Sequence, residues 1–169
     1  MPAWVGIASL GKVEEGLAQI ELGMDLYQGL KSPPIFWPLL RSLQARACGL
    51  AGKPEQGISL LDDMLAAPSQ GYGSVLLIDI LRLKGDLLLA LSPDKLAEAE
   101  LWYHRAWETA QEQGTSMLEL RAAISLCKLW RAQGNAEQGR RVLSEAYEKF
   151  TEGFETVDLI EARDLLKGE

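Results

Sequence analysis

GKPEQG at residues 52–57 is one copy of a short phrase that recurs along this chain at a fixed interval. GKVEEG at residues 11–16 lies 41 residues earlier, and GNAEQG at residues 134–139 lies 82 residues, or twice 41, later. The copy expected near residue 93 is replaced by SPDKLAEA at residues 92–99. A fixed period of this size is typical of stacked repeat proteins, in which each unit buries its apolar face against a neighbour. The repeat therefore favours a binding scaffold, although it does not name the partner.

The composition and the hydrophobic periodicity favour an all-helical chain. Leu, Ala, Glu, Gln and Arg, which are good helix formers, are abundant, whereas Val and Ile are scarce. Apolar residues recur at helical spacing between Gly and Pro turns. They predict helices over 3–10, 12–30, 35–51, 54–67, 74–91, 116–133, 136–150 and 157–167. One further helix is predicted to follow a cap at 92–94 and to end at about residue 113. We therefore predict one all-α domain, a tetratricopeptide-like α-solenoid of about four helix pairs. Its units are 1–31, 32–72, 73–114 and 115–152, and a C-terminal capping helix lies in 153–169.

The spacing within the helices favours tetratricopeptide-like units over the HEAT-like stacking that a period of this length also allows. The second helix of each pair carries a small residue, then a large residue four positions later, then a small residue after three more. The small residues let the two helices of a pair approach closely. The four sets are Gly16, Ile20, Gly23; Gly57, Leu61, Met64; Ala99, Tyr103, Ala106; and Gly139, Leu143, Ala146. Met64 fits poorly. We expect Gly139→Leu to overfill the last crossing and Gly139→Ala to be tolerated, because Ala99 fills the equivalent place.

A more distinctive group of segments follows residue 74. They are LELRAA at 118–123, LWRAQG at 129–134, YEKFTEGFET at 147–156, DL at 158–159 and ARDLL at 162–166. Together they resemble the C-terminal repeat segment of large bacterial signalling proteins, which are predicted ATPases often fused to class III adenylate or guanylate cyclase domains. Similar helical arms occur in maltose-regulator-type transcriptional activators. The resemblance covers essentially the whole chain and implies a cytoplasmic regulatory arm. It carries over no catalytic residue, because the cyclase and ATPase domains have no counterpart here.

Charge and apolar patterning argue against several classes of partner. The formal net charge is −7, from 17 basic and 24 acidic residues, so the chain as a whole repels phosphate backbones and we expect no nucleic-acid partner. No apolar run reaches the roughly 18 residues that span a bilayer, and no basic stretch precedes an apolar one at the start. We expect no membrane partner and a cytoplasmic location. Cys48 and Cys127 lie among apolar neighbours, which predicts buried thiols in a reducing cytosol.

The motifs that suggest chemistry have structural explanations. GIASLGKV at residues 6–13 has the spacing of a phosphate-binding loop, but Val13 replaces the required Ser or Thr and too few residues precede it for a strand. We interpret it as a turn between helices. His104 has no positioned nucleophile, and paired acids such as Asp62 and Asp63 lack the enclosed site that acid–base catalysis needs. We therefore expect no enzymatic activity, no catalytic residue, no metal and no cofactor.

The first helix of each pair lines a concave groove in this architecture, and that groove is the candidate binding site. Its inward positions in the second to fourth units are Leu39, Ser42, Arg46, Asp79, Arg82, Asp86, Leu89, Arg121, Ile124, Lys128 and Arg131. Five of these eleven are basic in a chain of negative net charge. We predict that the charged members, Arg46, Asp79, Arg82, Asp86, Arg121, Lys128 and Arg131, bind a protein or peptide partner of acidic character. Ordinary charge scatter on a solvated face is the alternative.

Two functions fit such a scaffold. The first is protein–protein interaction within a larger signalling system, as its regulatory or sensor arm. The alternative is a small-ligand sensor that holds a metabolite in the concave groove and changes curvature on binding. Among five tryptophans, Trp130 falls at a packing position, while Trp102 either packs or anchors a partner.

The N-terminal end carries an apolar set of side chains, namely Trp4, Val5, Ile7 and Leu10. If the chain is cut from a longer array, this end is an open apolar surface, and surfaces of this kind tend to be covered by a partner. A two-fold dimer is the simplest closed arrangement. We therefore predict a homodimer through this surface.

Overall fold

The computed structural model describes residues 12–29, 37–66 and 74–168, and the regular elements in these ranges are all helical. The α-helices are α1 (Val13–Gly29), α2 (Trp37–Leu50), α3 (Pro54–Ala66), α4 (Ser74–Leu91), α5 (Leu96–Glu112), α6 (Ser116–Ala132), α7 (Ala136–Tyr147) and α8 (Val157–Lys167), with a 3-10 turn at Pro93–Lys95. The all-α expectation is confirmed for these residues, and the solenoid arrangement stays a prediction. Within the same ranges, no helix combines the length and apolarity needed to cross a membrane. The predicted helix at 3–10, with Trp4, Val5, Ile7 and Leu10, lies outside the described residues.

Helix boundaries follow the Gly and Pro signals of the sequence, except at the end of α7. Pro54 begins α3, where the missing N–H of proline has no helical partner to lose. Helix α7 ends at Tyr147, three residues earlier than the periodicity predicts. The Phe150 N–H donates to the Tyr147 carbonyl at 3.1 Å in a tight turn. Beside it, Lys149 Nζ lies 2.6 Å from a carboxylate oxygen of Glu119 on α6. The end of α7 therefore coincides with a contact between two residues that are distant in the sequence.

Three turns between helices share one hydrogen-bonding pattern. Gly52, Gly114 and Gly134 follow α2, α5 and α6 with φ of 70°, 64° and 85°, a left-handed conformation that glycine adopts without steric strain. In each turn the next N–H donates to a carbonyl five residues earlier, and the pairs are Lys53 to Cys48, Thr115 to Ala110 and Asn135 to Trp130. This bond is the mark of the Schellman motif, which satisfies carbonyls left open at a helix end. The GKPEQG and GNAEQG copies thus begin with the same turn.

Contacts divide the described chain into two compact units. The N-terminal unit comprises the described residues up to Leu76 together with Asp86–Lys95, and the C-terminal unit comprises Leu77–Gly85 and the chain from Leu96 onward. In the N-terminal unit, α2 packs on α1 and α3, and the core contains Leu17, Ile20, Met24, Ala47 and Cys48. In the C-terminal unit, α6 packs on α5 and α7, and α8 packs on α6 and α7. Its most deeply buried side chains include Leu120, Leu126, Trp130, Leu143 and Leu159.

The small–large–small spacing marks buried positions in four helices. Its large members are all buried, namely Ile20, Leu61, Tyr103 and Leu143. Close approach is clearest between α2 and α3, where a Cβ added to Gly57 would lie 2.7 Å from the carbonyl oxygen of Ala45. Gly23 departs from the pattern, because nothing lies within 4 Å of an added Cβ there. The spacing therefore identifies the packed side of these helices, with one position left in open space.

The structure contradicts the expectation that Gly139→Ala is tolerated. A Cβ at Gly139 would lie 2.9 Å from the Cα and 3.1 Å from the carbonyl oxygen of Cys127. These are backbone atoms of α6, which cannot rotate away as the end of a flexible side chain would. Ala99 is no guide to Gly139, because the depth of each helix crossing depends on its own packing and not on the spacing.

Candidate partner-binding surface

The seven charged groove residues are distributed over both units. Arg46 and Asp86 belong to the N-terminal unit, where Arg46 is exposed and Asp86 is half-buried. Asp79, Arg82, Arg121, Lys128 and Arg131 belong to the C-terminal unit. The structure therefore brings five of the seven predicted residues into one compact unit, and the candidate surface is built from these five.

Three basic side chains of α6 share one side of the helix. Lys128 follows Arg121 by seven residues, or two helical turns, and Arg131 follows Lys128 by three. Positions at this spacing lie on neighbouring rows of a helix surface. We call the side formed by Arg121, Lys128 and Arg131 the basic face of α6. The opposite side of α6 enters the core through residues such as Leu126 and Trp130.

Arg121 is engaged by the C-terminal helix of the same chain. Its Nε and Nη2 both donate to Oδ2 of Asp158 on α8, at 3.0 and 2.9 Å. The pKa of Arg121 is raised, chiefly by this hydrogen bond and also by the charges of Asp158 and Asp79, while burial acts in the opposite sense. The Arg121 guanidinium is therefore held in its charged form beside a half-buried carboxylate.

The other two members of the basic face also contact α8. Lys128 Nζ pairs with the Glu161 carboxylate, and Arg131 Nη1 donates to the Leu165 carbonyl at 3.5 Å. Leu165 lies in the last turn of α8, the negative end of the helix dipole, where a cation is favoured. The contacts advance along both helices together, from Asp158 at Arg121 to Leu165 at Arg131, so α8 runs in the same direction as α6.

Apolar burial holds α8 in place more strongly than its ion pairs do. Leu159 and Ala162 are 1% and 0% exposed, and burying a leucine contributes about 1.5–3 kcal/mol. The Arg121–Asp158 and Lys128–Glu161 side chains keep between 25% and 54% of their surface exposed. Pairs of this exposure contribute about 0–1 kcal/mol each. Leu159 and Ala162 therefore supply most of the stabilisation of α8 on this surface, while the ion pairs favour one register and an acidic helix.

Helix α4 supplies the remaining two predicted residues. Arg82 Nε lies 3.6 Å from Oδ1 of Asp79 one turn away, with side chains 14% and 35% exposed. Asp79 also acts electrostatically on Arg121. Arg82 is thus largely buried beside an acid of its own helix. Among the five residues, those that contact α8 are the three of the basic face of α6.

Sequence reasoning missed the acidic side of this contact. Asp158 and Glu161 stand three residues apart near the start of α8 and were absent from the predicted site. The sequence signal that was available is charge complementarity with Arg121 and Lys128. Two carboxylates three residues apart on one helix can pair with two cations that lie two turns apart on another helix. Nothing in the linear spacing indicates which helix pairs with which.

Two tryptophans of the C-terminal unit are occupied by contacts within the chain. Trp130 is 2% exposed and its Nε1 donates to Glu100 Oε1 at 2.9 Å, which confirms its predicted packing role. Trp102 is half-buried between two cations, with Lys84 Nζ 3.9 Å and Arg105 Cζ 4.9 Å from its ring centroid. Such cation–π contacts favour packing for Trp102 over exposure as an anchor.

Neither cysteine of the chain has an exposed thiol. The free thiols of Cys48 and Cys127 are buried, and burial is the main cause that raises the pKa of each. Within 12–29, 37–66 and 74–168, no group of three or more His, Cys, Asp or Glu side chains is placed to hold a metal ion. Comparison with protein-family models and with curated proteins finds no match for this chain.

Proposed function

We propose that this chain is a protein–protein interaction scaffold whose basic face of α6 binds an acidic helical segment of a partner. The observation that carries the proposal is the contact between that face and α8. Arg121, Lys128 and Arg131 each contact an oxygen of α8, and α8 adds Leu159 as a buried apolar anchor. An amphipathic helix laid on a surface by apolar anchors, with charges selecting its orientation, is a recurring mode of protein recognition.

The charge distribution supports specificity for such a partner. The chain carries a net charge of −7, so an acidic segment is repelled by the chain as a whole and attracted locally where cations are clustered. Electrostatic complementarity of this kind favours the correct register and disfavours other contacts. Half-exposed pairs contribute little affinity, so a partner helix also needs apolar side chains in the places that Leu159 and Ala162 occupy.

We further propose that the scaffold serves as the regulatory or sensor arm of a bacterial signalling protein. The support is that the segments carrying the family resemblance are also those that build the surface. LELRAA at 118–123 contains Arg121, LWRAQG at 129–134 contains Arg131, and DL at 158–159 contains Asp158 and Leu159.

Affinity capture with matched charge reversals tests the proposal. The bait Lys128→Glu/Arg131→Glu removes two cations of the basic face, while Arg140→Glu/Arg141→Glu makes the same change on two exposed arginines of α7. We expect the second bait to retain the proteins captured from the source cell by the unmodified chain and the first to lose them. Circular dichroism checks that both baits remain helical. Equal capture by the two baits contradicts the proposal.

A further inference from the structure

We infer that α8 occupies, within its own chain, the site to which an acidic partner helix binds, so that the partner must displace α8. This inference rests on the proposed function and names the regulation and the ligand chemistry of the same surface. The partner is an amphipathic helix with carboxylates three residues apart, each followed by an apolar or small residue. In α8 these places are held by Asp158 with Leu159 and by Glu161 with Ala162.

The hold of α8 on the surface is limited. Leu159 and Ala162 are its fully buried residues, the other residues of 158–166 are half-buried, and Val157 at the start of the helix is 79% exposed. Its ion pairs are half-exposed. Segments with little buried apolar surface and solvent-exposed polar contacts open at lower free energy than the packed core around them. Helix α8 therefore has the contacts expected of a segment that can leave the surface locally.

The segment before α8 allows it to leave without unfolding α7. Residues 151–157 are all exposed, and Gly153 has φ of 78°. Helix α7 packs mainly on α6, and its buried side chains are Val142, Leu143 and Ala146. The Phe154 ring centroid lies 5.9 Å from that of Tyr147, so the connection also contacts the end of α7. Helix α8 therefore follows an exposed connection, and α7 before it packs mainly on α6 and to a lesser extent on α8.

Competition within the chain has a quantitative consequence for binding. The apparent affinity for a helix in trans falls in proportion to the fraction of molecules whose site is free. Weakening the contact of α8 raises that fraction and strengthens binding in trans by the same factor until the site is mostly free. Substitutions on α8, which leave Arg121, Lys128 and Arg131 intact, therefore strengthen binding of an acidic helix.

The probe is a fluorescein-labelled peptide with the sequence of residues 155–168, ETVDLIEARDLLKG. Its binding to the full chain is measured by fluorescence anisotropy. We expect Asp158→Lys/Glu161→Lys to bind the peptide about tenfold or more tightly than the unmodified chain, because its own α8 no longer competes. The control Glu152→Lys/Glu155→Lys makes the same charge change at exposed residues of the connection and binds as the unmodified chain does. A peptide carrying Lys at both acidic places should not bind.

Leu159→Ala provides a second variant without a charge change. It loosens α8 through its buried anchor and is expected to shift binding in the same direction. Equal peptide affinity for the unmodified chain and both α8 variants overturns the inference, and so does the absence of binding to either variant. These outcomes are separate from failure of the proposed function, which is shown by capture that does not depend on Lys128 and Arg131.

Discussion

Gly139 and Gly23 both occupy small positions of the repeat spacing, and their surroundings differ completely. At Gly139 an added Cβ meets the Cys127 backbone at 2.9 Å, whereas at Gly23 an added Cβ meets nothing within 4 Å. Both glycines are helical, and glycine in a helix interior is less favourable than alanine by about 0.8–1 kcal/mol. The same substitution therefore has opposite expected effects at the two positions.

We expect Gly139→Ala to lower the free energy of unfolding by about 1–3 kcal/mol, since the backbones of α6 and α7 must separate to admit the methyl group. Gly23→Ala is the control and should raise stability by about 0.4–1 kcal/mol, because it restricts the unfolded chain without a clash. Urea unfolding measures both. Destabilisation of similar size in the two variants would contradict the close crossing at Cys127.

Lys149 should matter to stability because of the carboxylate it contacts. Glu119 is 3% exposed and accepts hydrogen bonds from Lys149 Nζ at 2.6 and 2.7 Å and from Gln111 Nε2 at 3.0 Å. Lys149→Met leaves a buried carboxylate poorly compensated, and we expect a loss of about 1–3 kcal/mol. Glu119→Gln/Lys149→Met should recover most of it, because a neutral amide still bonds to Gln111.

Lys128→Met is the matched control for Lys149→Met. Its partner Glu161 keeps 39% of its side-chain surface exposed, so the loss should stay below about 1 kcal/mol. Thermal unfolding of the three variants under one buffer compares them directly. Equal losses for Lys128→Met and Lys149→Met would show that the burial of Glu119 does not set the effect.

The buried thiols predict a loss of stability in alkaline solution. Burial raises the pKa of Cys48 and Cys127 above the ordinary value of 9.0, so the unfolded chain loses these protons first as the pH rises. Stability is therefore fully present below pH about 9 and falls as the pH rises through that value. Urea unfolding at several pH values should show a shallower alkaline decline for Cys48→Ala/Cys127→Ala than for the unmodified chain. Parallel curves would contradict this prediction.

At the scale of the helices, the sequence was most informative where the signal is local. Gly52, Gly114 and Gly134 end their helices with a left-handed turn that glycine favours, so the C-terminal ends of α2, α5 and α6 were predicted to within a residue. The end of α7 was missed, because it coincides with the contact of Lys149 with Glu119, thirty residues apart. The partner of the basic face was missed for the same reason, since Arg121 and Asp158 are brought together only by tertiary packing.

Hydrogen exchange at α8 tests whether this helix opens separately. We expect its amides to exchange faster than those of α7, because α8 buries fewer side chains. Asp158→Lys/Glu161→Lys should accelerate exchange in α8 by about tenfold or more and leave α7 unchanged. Exchange of the two helices at one common rate, in the variant as in the unmodified chain, would mean that they open together.

At the scale of the whole molecule, the charged residues of the predicted groove are divided between the two compact units. The basic face of α6 lies in the C-terminal unit, while Arg46 and Asp86 lie in the N-terminal one. The groove predicted from the repeat alignment treated all seven charged residues as one site, because periodicity assigns the same inward role to every unit. Periodicity does not reveal that α8 contacts three of those residues.

The homodimer predicted through Trp4, Val5, Ile7 and Leu10 is tested on the intact chain. Light scattering at micromolar concentration should give a mass near twice the chain mass of 18.6 kDa. Replacing Trp4 and Leu10 with Asp should reduce that mass to one chain, because charged side chains oppose an apolar interface. A mass of one chain that does not change with concentration would contradict the dimer.

The shared Schellman turns also affect how the chain folds while it is being synthesised. They join helices that pack on their immediate neighbours, as α2 with α3, α5 with α6, and α6 with α7. Contacts so local in sequence favour closure in microseconds to milliseconds, whereas a ribosome adds a 41-residue repeat in roughly 2–8 s at about 5–20 residues per second. Each pair can therefore close long before the next emerges. A nascent chain that folds in this order never exposes the apolar faces of all its helices at once.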